Sequence, residues 1–113
     1  MLSVLLEYTP WLALTLALEC AVVALLIRGA GRQRALRACI AINLLTHPIA
    51  TLAVLEAGFN VVPVELVVIV VEVVLYHQIL RLRATRAIML GVVANLVSWG
   101  AGIAASLAHD VWS

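Results

Sequence analysis

Long apolar stretches fill most of the chain, and short polar segments interrupt them at regular intervals. A membrane-spanning helix needs about 20 predominantly apolar residues, and four such stretches fit this sequence. We predict spans at about residues 11–27, 36–55, 63–80 and 87–108. The pattern therefore predicts an all-α membrane protein with four transmembrane helices, arranged as two antiparallel hairpins in a single domain of residues 1–113.

The third span is the least typical of a helix, because its valine-rich run from Val61 to Leu75 would indicate a buried strand in a soluble protein. The length of the run and its lack of period-two alternation favour a helix, and no other segment offers a partner strand. Pro63 is expected at the first helical position, where the missing N–H of proline is tolerated.

Composition excludes a soluble domain. Hydrophobic residues make up 65% of the chain and charged residues 12%, whereas soluble domains are roughly half apolar and about a quarter charged. A formal net charge of +1 also gives no indication of the strongly basic surface that binds nucleic acid. The bilayer is thus the first predicted partner, and nucleic acid is not predicted as one.

The basic residues predict the orientation. The chain has no lysine, and its arginines all follow the first or third span: Arg28, Arg32, Arg34, Arg37, Arg81, Arg83 and Arg86. Positively charged residues mark the cytoplasmic side of a membrane protein. We therefore predict a multi-pass protein of the cell inner membrane, with cytoplasmic arginine-rich loops and with both termini outside.

Each predicted span carries one strongly polar residue at a similar depth. Glu19, His47, Glu72 and Asn95 each lie nine or ten residues from an arginine at the same end of the bundle. At ~1.5 Å per residue this is ~14 Å, close to the middle of a ~30 Å hydrocarbon core. Asn43 lies one turn from His47 on the same helical face. We predict a polar layer formed by these five residues.

Two features are expected to shape the packing around this layer. Pro48 cannot donate to the carbonyl of Leu44, and this predicts a kink beside His47. The fourth span carries a small and polar stripe at three- and four-residue spacing: Gly91, Asn95, Ser98, Gly102 and Ser106. Small residues let membrane helices approach closely, so we expect leucine at Gly102 to weaken assembly more than leucine at Val93.

Three roles fit the polar layer. It could be a hydrogen-bonded core that fixes helix register, or it could bind and relay a proton or small cation. It could also be a metal site with Glu19, His47 and Glu72 as ligands, although no HExxH or ExxH spacing occurs. No arginine reaches this depth, so we expect at least one glutamate to be neutral at pH 7 unless a cation is bound.

Other candidate chemistry is weak. The sequence has no Gly-rich phosphate loop, no nucleophile elbow and no convincing triad, so nothing in it supports an enzyme, and it predicts no particular cofactor. Cys20 and Cys39 lie within apolar stretches and are interpreted as small apolar side chains that do not pair. His77 lies five residues past Glu72 and is expected to point away from it.

Three segments carry a resemblance: Asn43–Pro48 (NLLTHP), Glu65 through Glu72 to Tyr76, and Gly91–Ser98. They resemble a pattern of small, uncharacterised four-span bacterial integral membrane proteins, which implies the four-span fold but does not indicate any particular activity. The short loops favour an accessory or structural subunit of a larger membrane complex, with other membrane subunits or a second copy as partners. The alternatives are proton or small-cation translocation and an intramembrane metal site.

Overall fold

A computed structural model describes the backbone of residues 2–112 and the side chains of residues 3, 6–104 and 107. Within that part of the chain there are no strands, and a single turn of 3-10 helix, Gly29–Gly31, precedes the second helix. The α-helices are α1 (Leu2–Leu26), α2 (Arg32–Leu55), α3 (Val61–Leu80) and α4 (Ala84–Trp112). All four are long and apolar enough to cross a membrane. This confirms the all-α class with four transmembrane helices.

Several helices begin earlier than the predicted spans. Helix α1 continues through Pro10, α2 begins at Arg32, and α4 begins at Ala84. Arginine, alanine and leucine are good helix formers, so the hydrogen-bonded helix extends past the apolar segment into the polar boundary. Hydropathy marks the part of a helix that can lie in lipid, and it does not mark where the helix starts.

The start of α3 differs from the predicted one. Asn60 has an extended backbone (φ −63°, ψ 139°) and the helix begins at Val61, so Pro63 occupies the third helical position rather than the first. The first four N–H groups of a helix have no intrahelical acceptor. Proline is therefore accommodated anywhere in this first turn.

A three-residue connection separates α3 from α4. Arg81 ends α3 in the left-handed region (φ 53°, ψ 36°), which reverses the chain direction. The ring of His77 is exposed, and its Nδ1 is hydrogen-bonded to the carbonyl of Leu82 at 2.6 Å. His77 therefore braces this connection and lies outside the polar layer.

The helices form a ring in which α1 and α3 each pack against both α2 and α4. Arg34 Nη2 donates to the Ile79 carbonyl at 2.9 Å, and Arg86 Nη2 donates to the Leu26 carbonyl at 3.1 Å. These contacts bring the two arginine-rich connections to one end of the bundle, hereafter the arginine end. The arrangement of the four helices as two antiparallel hairpins stays a prediction.

A buried apolar core fills the bundle towards the arginine end. Its buried members are Val23, Ile27, Ala35, Ala38, Cys39, Ile42, Tyr76, Ala87 and Leu90. Leucine, isoleucine and valine side chains on the outer faces of the same helices are exposed. In a bilayer these outer side chains meet lipid tails, so the structure is that of a small integral membrane protein.

The orientation can be tested by thiol labelling in a variant whose two native cysteines are replaced by alanine. A cysteine at Gln33, in the arginine-rich region, is expected to be shielded from an impermeant thiol reagent in intact cells. A cysteine at Asn60, in the opposite connection, is expected to be labelled, because arginine-rich loops remain cytoplasmic. Labelling at Gln33 and protection at Asn60 would reverse the predicted orientation.

Candidate functional site

Three ionisable side chains from three helices meet inside the bundle. Glu19 (α1) and Glu72 (α3) are 0% exposed, and His47 (α2) is 5% exposed. His47 Nε2 lies 3.1 Å from Glu19 Oε2 and 3.6 Å from Glu72 Oε1. One ligand atom from each residue lies within 4.8 Å of the other two. We refer to Glu19, His47 and Glu72 as the central cluster.

Helices α2 and α4 supply hydrogen-bond donors to both oxygens of Glu72. Thr46 Oγ1 donates to Glu72 Oε1 at 2.9 Å, and Asn95 Nδ2 donates to Glu72 Oε2. The same Asn95 nitrogen donates to the Gly91 carbonyl at 2.7 Å, and Ser98 Oγ donates to the Asn95 carbonyl at 3.1 Å. Glu72 is thus held by two neighbouring helices, and the orientation of Asn95 is set by its own helix.

Several buried oxygens near this layer have no partner. Within the described side chains, the atoms without a hydrogen bond are Glu19 Oε1, Asn43 Oδ1, Tyr76 OH and Asn95 Oδ1. The carboxyl and amide oxygens can only accept, unless the carboxyl is protonated. Buried acceptors are normally satisfied, so Glu19 Oε1 is an unsatisfied acceptor within the central cluster itself.

A cleft connects the cluster with the end of the bundle opposite the arginines, hereafter the far end. Its volume is about 510 Å³, and its lining includes Tyr8, Thr15, His47, Glu65 and Ser98. A smaller adjoining cavity of about 140 Å³ is also lined by Tyr8, His47 and Glu65. Towards the arginine end the apolar core closes the bundle. Within the described part of the chain, the cleft therefore reaches His47 from the far end, past the half-buried Glu65.

The structure brings together four of the five residues of the predicted polar layer. Asn95 joins the central cluster through Glu72, whereas Asn43 faces the arginine end. Asn43 Nδ2 donates to the Cys39 carbonyl at 2.8 Å and to Cys39 Sγ at 3.4 Å. The sequence places Thr46 beside His47, but the predicted polar layer did not include it, and sequence analysis did not place Glu65 in a cleft.

The predicted stripe of α4 divides into two parts. Gly91, Asn95 and Ser98 are buried, and a Cβ on Gly91 would lie 2.6 Å from Val73 Cγ2, so this part packs tightly on α3. A Cβ on Gly102 would meet no described atom within 4 Å. The expectation of close packing at Gly102 is therefore wrong within the described chain, because this residue lines the open cleft. The side chain of Ser106 lies outside the described residues.

The sequence analysis did not predict that the two cysteines lie next to each other. Cys20 on α1 and Cys39 on α2 place their sulfurs 3.8 Å apart, and both are free thiols. The position of each cysteine along its helix could have predicted this proximity. Cys20 lies six residues before the end of α1, and Cys39 lies seven residues after the start of α2, so antiparallel neighbours would place them at similar heights.

Comparison of the chain with known protein families, with curated proteins and with solved structures finds no match. The resemblance to small four-span bacterial membrane proteins therefore stays a hypothesis. The functional argument depends on the chemistry of the central cluster and its cleft.

Proposed function

We propose that this membrane protein binds a proton or a small cation at its central cluster, as a subunit of a larger membrane assembly. The observation that carries the proposal is the cluster's position at the inner end of a cleft that opens at the far end. Glu19 and Glu72 are fully buried, yet His47, which contacts both, lines the cleft. A structural hydrogen-bonded core has no need of such access.

The charge of the cluster favours uptake of a cation. With both carboxyls ionised and His47 protonated, the cluster carries one net negative charge. All seven arginines lie in or beside the two connections at the arginine end, and the chain has no lysine. An uncompensated charge in a low-dielectric interior is unfavourable. One additional proton or monovalent cation makes the cluster neutral, and the Glu65 carboxyl lies along the route to it.

The closed side of the bundle supports the role of a subunit. Among the described residues, the buried core between the cluster and the arginine end is mostly apolar, and its polar side chains, Cys39, Asn43 and Tyr76, include no carboxylate or imidazole that could bind a cation. A chain with access from one side can bind a cation, but it cannot pass that cation across the membrane in this conformation. Cation binding at the cluster would affect a partner subunit through α1, α2 and α3, because these helices supply the residues of the cluster.

A hydrophobic carbodiimide tests the proposal, because it modifies protonated carboxyl groups in apolar surroundings. With the full chain in liposomes, we expect labelling at Glu19 or Glu72 that falls as the pH rises and as a bound cation competes. Glu65→Gln should retain this labelling, whereas the double change Glu19→Gln and Glu72→Gln should remove it. Labelling that is absent from both residues, or that is independent of pH, would contradict uptake at the cluster and favour a static core.

A divalent metal ion is a second candidate, favoured by the spacing of the ligand atoms. The 3.1 Å and 3.6 Å distances from His47 Nε2 to the two carboxylate oxygens bracket the ~3.4 Å between ligands in a tetrahedral site with bonds of about 2.1 Å. Two carboxylates and a neutral imidazole also balance a divalent charge. Histidine and carboxylate ligands suit zinc, manganese or iron.

Equilibrium dialysis with Zn²⁺ distinguishes the two candidates. If the cluster is a metal site, the purified full chain should retain one Zn²⁺, and His47→Gln should abolish retention. His77→Gln is the matched control, since its ring is exposed and hydrogen-bonded to a loop carbonyl. Zinc retention that is unchanged by His47→Gln would contradict the metal site and leave the proton as the ligand.

A further inference from the structure

We propose that Cys20 and Cys39 form a redox-active dithiol that closes to a disulfide between α1 and α2. The two sulfurs are 3.8 Å apart, although the residues are on different helices and 19 positions apart in the sequence. This site shares no residue with the central cluster, so the proposal does not depend on cation binding.

The distance between the two sulfur atoms fits a reduced pair that can form a disulfide. Sulfur atoms at 3.8 Å are in van der Waals contact, and a disulfide bond is ~2.05 Å long. Closure therefore needs an approach of about 1.8 Å. Rotation about the two Cα–Cβ bonds moves both sulfurs, and α1 packs against α2.

The two sulfurs have different surroundings, and this assigns them different roles. Cys39 is fully buried, and its Sγ accepts hydrogen bonds from the Cys20 thiol and from Asn43 Nδ2. A lone pair of Cys39 therefore already faces the Cys20 sulfur. Cys20 is partly exposed within α1, and it lies eight residues before Arg28, about 12 Å into the membrane. Cys20 is the less buried of the two cysteines, so we assign Cys20 Sγ as the sulfur that an apolar oxidant reaches first.

The oxidant that fits this position is a small, lipid-soluble disulfide. Cys20 Sγ attacks one of its sulfurs and forms a mixed disulfide, and the Cys20 proton passes to the first small thiol as it leaves. Cys39 Sγ then attacks Cys20 Sγ and forms the Cys20–Cys39 bond, and the Cys39 proton passes to the second small thiol as it leaves. In total, two protein thiols and one small disulfide give one protein disulfide and two small thiols.

Dithiodipyridine, an apolar disulfide that releases a coloured thiopyridone, tests this sequence on the full chain in liposomes. We expect each wild-type chain to release two thiopyridones, to retain no adduct and to lose about 2 Da, the mass of two hydrogens. Tandem mass spectrometry should place the new bond between Cys20 and Cys39. A wild-type chain that keeps a pyridyl adduct, or that does not react, would overturn the proposal.

Single serine variants test the two roles. Cys39→Ser should release one thiopyridone and keep the adduct on Cys20, because no second sulfur is present to displace it. Cys20→Ser should react at least tenfold more slowly than Cys39→Ser, because Cys39 is buried. Equal rates for the two variants would contradict the assignment of Cys20 as the first sulfur to react, and the wild-type mass would still decide whether the pair closes.

Discussion

Glu72→Leu is expected to lower the free energy of unfolding by about 3 kcal/mol, and Glu72→Gln by only about 1 kcal/mol. Leucine leaves the Thr46 hydroxyl and one Asn95 hydrogen without an acceptor in the interior of the bundle. Glutamine keeps one acceptor oxygen, so it loses one of these two hydrogen bonds. Titration of the folded protein with a denaturing detergent, followed by circular dichroism, measures both values.

The matched control is Glu65→Leu on the same helix. Glu65 is half-buried in the wall of the cleft, and its carboxyl forms no hydrogen bond among the described residues. We expect a change below about 1 kcal/mol, since no buried partner is left unsatisfied. Similar losses for Glu65→Leu and Glu72→Leu would show that the hydrogen bonds to Glu72 do not stabilise the fold.

The same pair of Glu72 variants separates structure from function. Glu72→Gln should fold and yet lose pH-dependent cation uptake at the cluster, because an amide neither releases a proton nor carries a negative charge. Uptake is followed as the pH- and cation-dependence of carbodiimide labelling at the remaining Glu19. Wild-type dependence in Glu72→Gln would assign Glu72 a structural role only.

Gly91→Ala is expected to destabilise the bundle by about 2 kcal/mol, the cost of overpacking a close helix contact. The added Cβ would lie 2.6 Å from Val73 Cγ2 and 3.4 Å from the Val73 backbone nitrogen. The second distance is an ordinary van der Waals contact, but the first requires Val73, a β-branched residue with a restricted rotamer in a helix, to shift. The same detergent titration measures the loss of stability.

Gly102→Ala is the matched control in the same helix. Its Cβ would enter open space, and alanine favours a helix over glycine by up to about 1 kcal/mol, so stability should stay the same or rise. Adding Val73→Ala to Gly91→Ala should recover part of the loss, because it removes the contacting methyl group. Equal destabilisation by Gly91→Ala and Gly102→Ala would contradict the assigned close contact.

The amino-acid pattern by itself determined the four helices and the depth of their polar residues. Twenty or so apolar residues between polar breaks can only satisfy their backbone in lipid as a helix. Because an α-helix rises ~1.5 Å and turns ~100° per residue, the spacing of residues in the sequence predicts their depth in the membrane and the side of the helix on which they lie. For this reason Glu19, His47, Glu72 and Asn95 could be assigned to one layer, and His77 could be excluded from it.

Only the tertiary structure decided which side chains of neighbouring helices touch. Glu19 lies closer than Glu72 to His47 Nε2, Asn43 turns to Cys39, and close packing occurs at Gly91 rather than at Gly102. The Cys20–Cys39 pair has the same origin. Spacing along one helix describes that helix alone, whereas contacts between helices depend on their separation, rotation and relative height. Packing of all four helices together sets these three quantities.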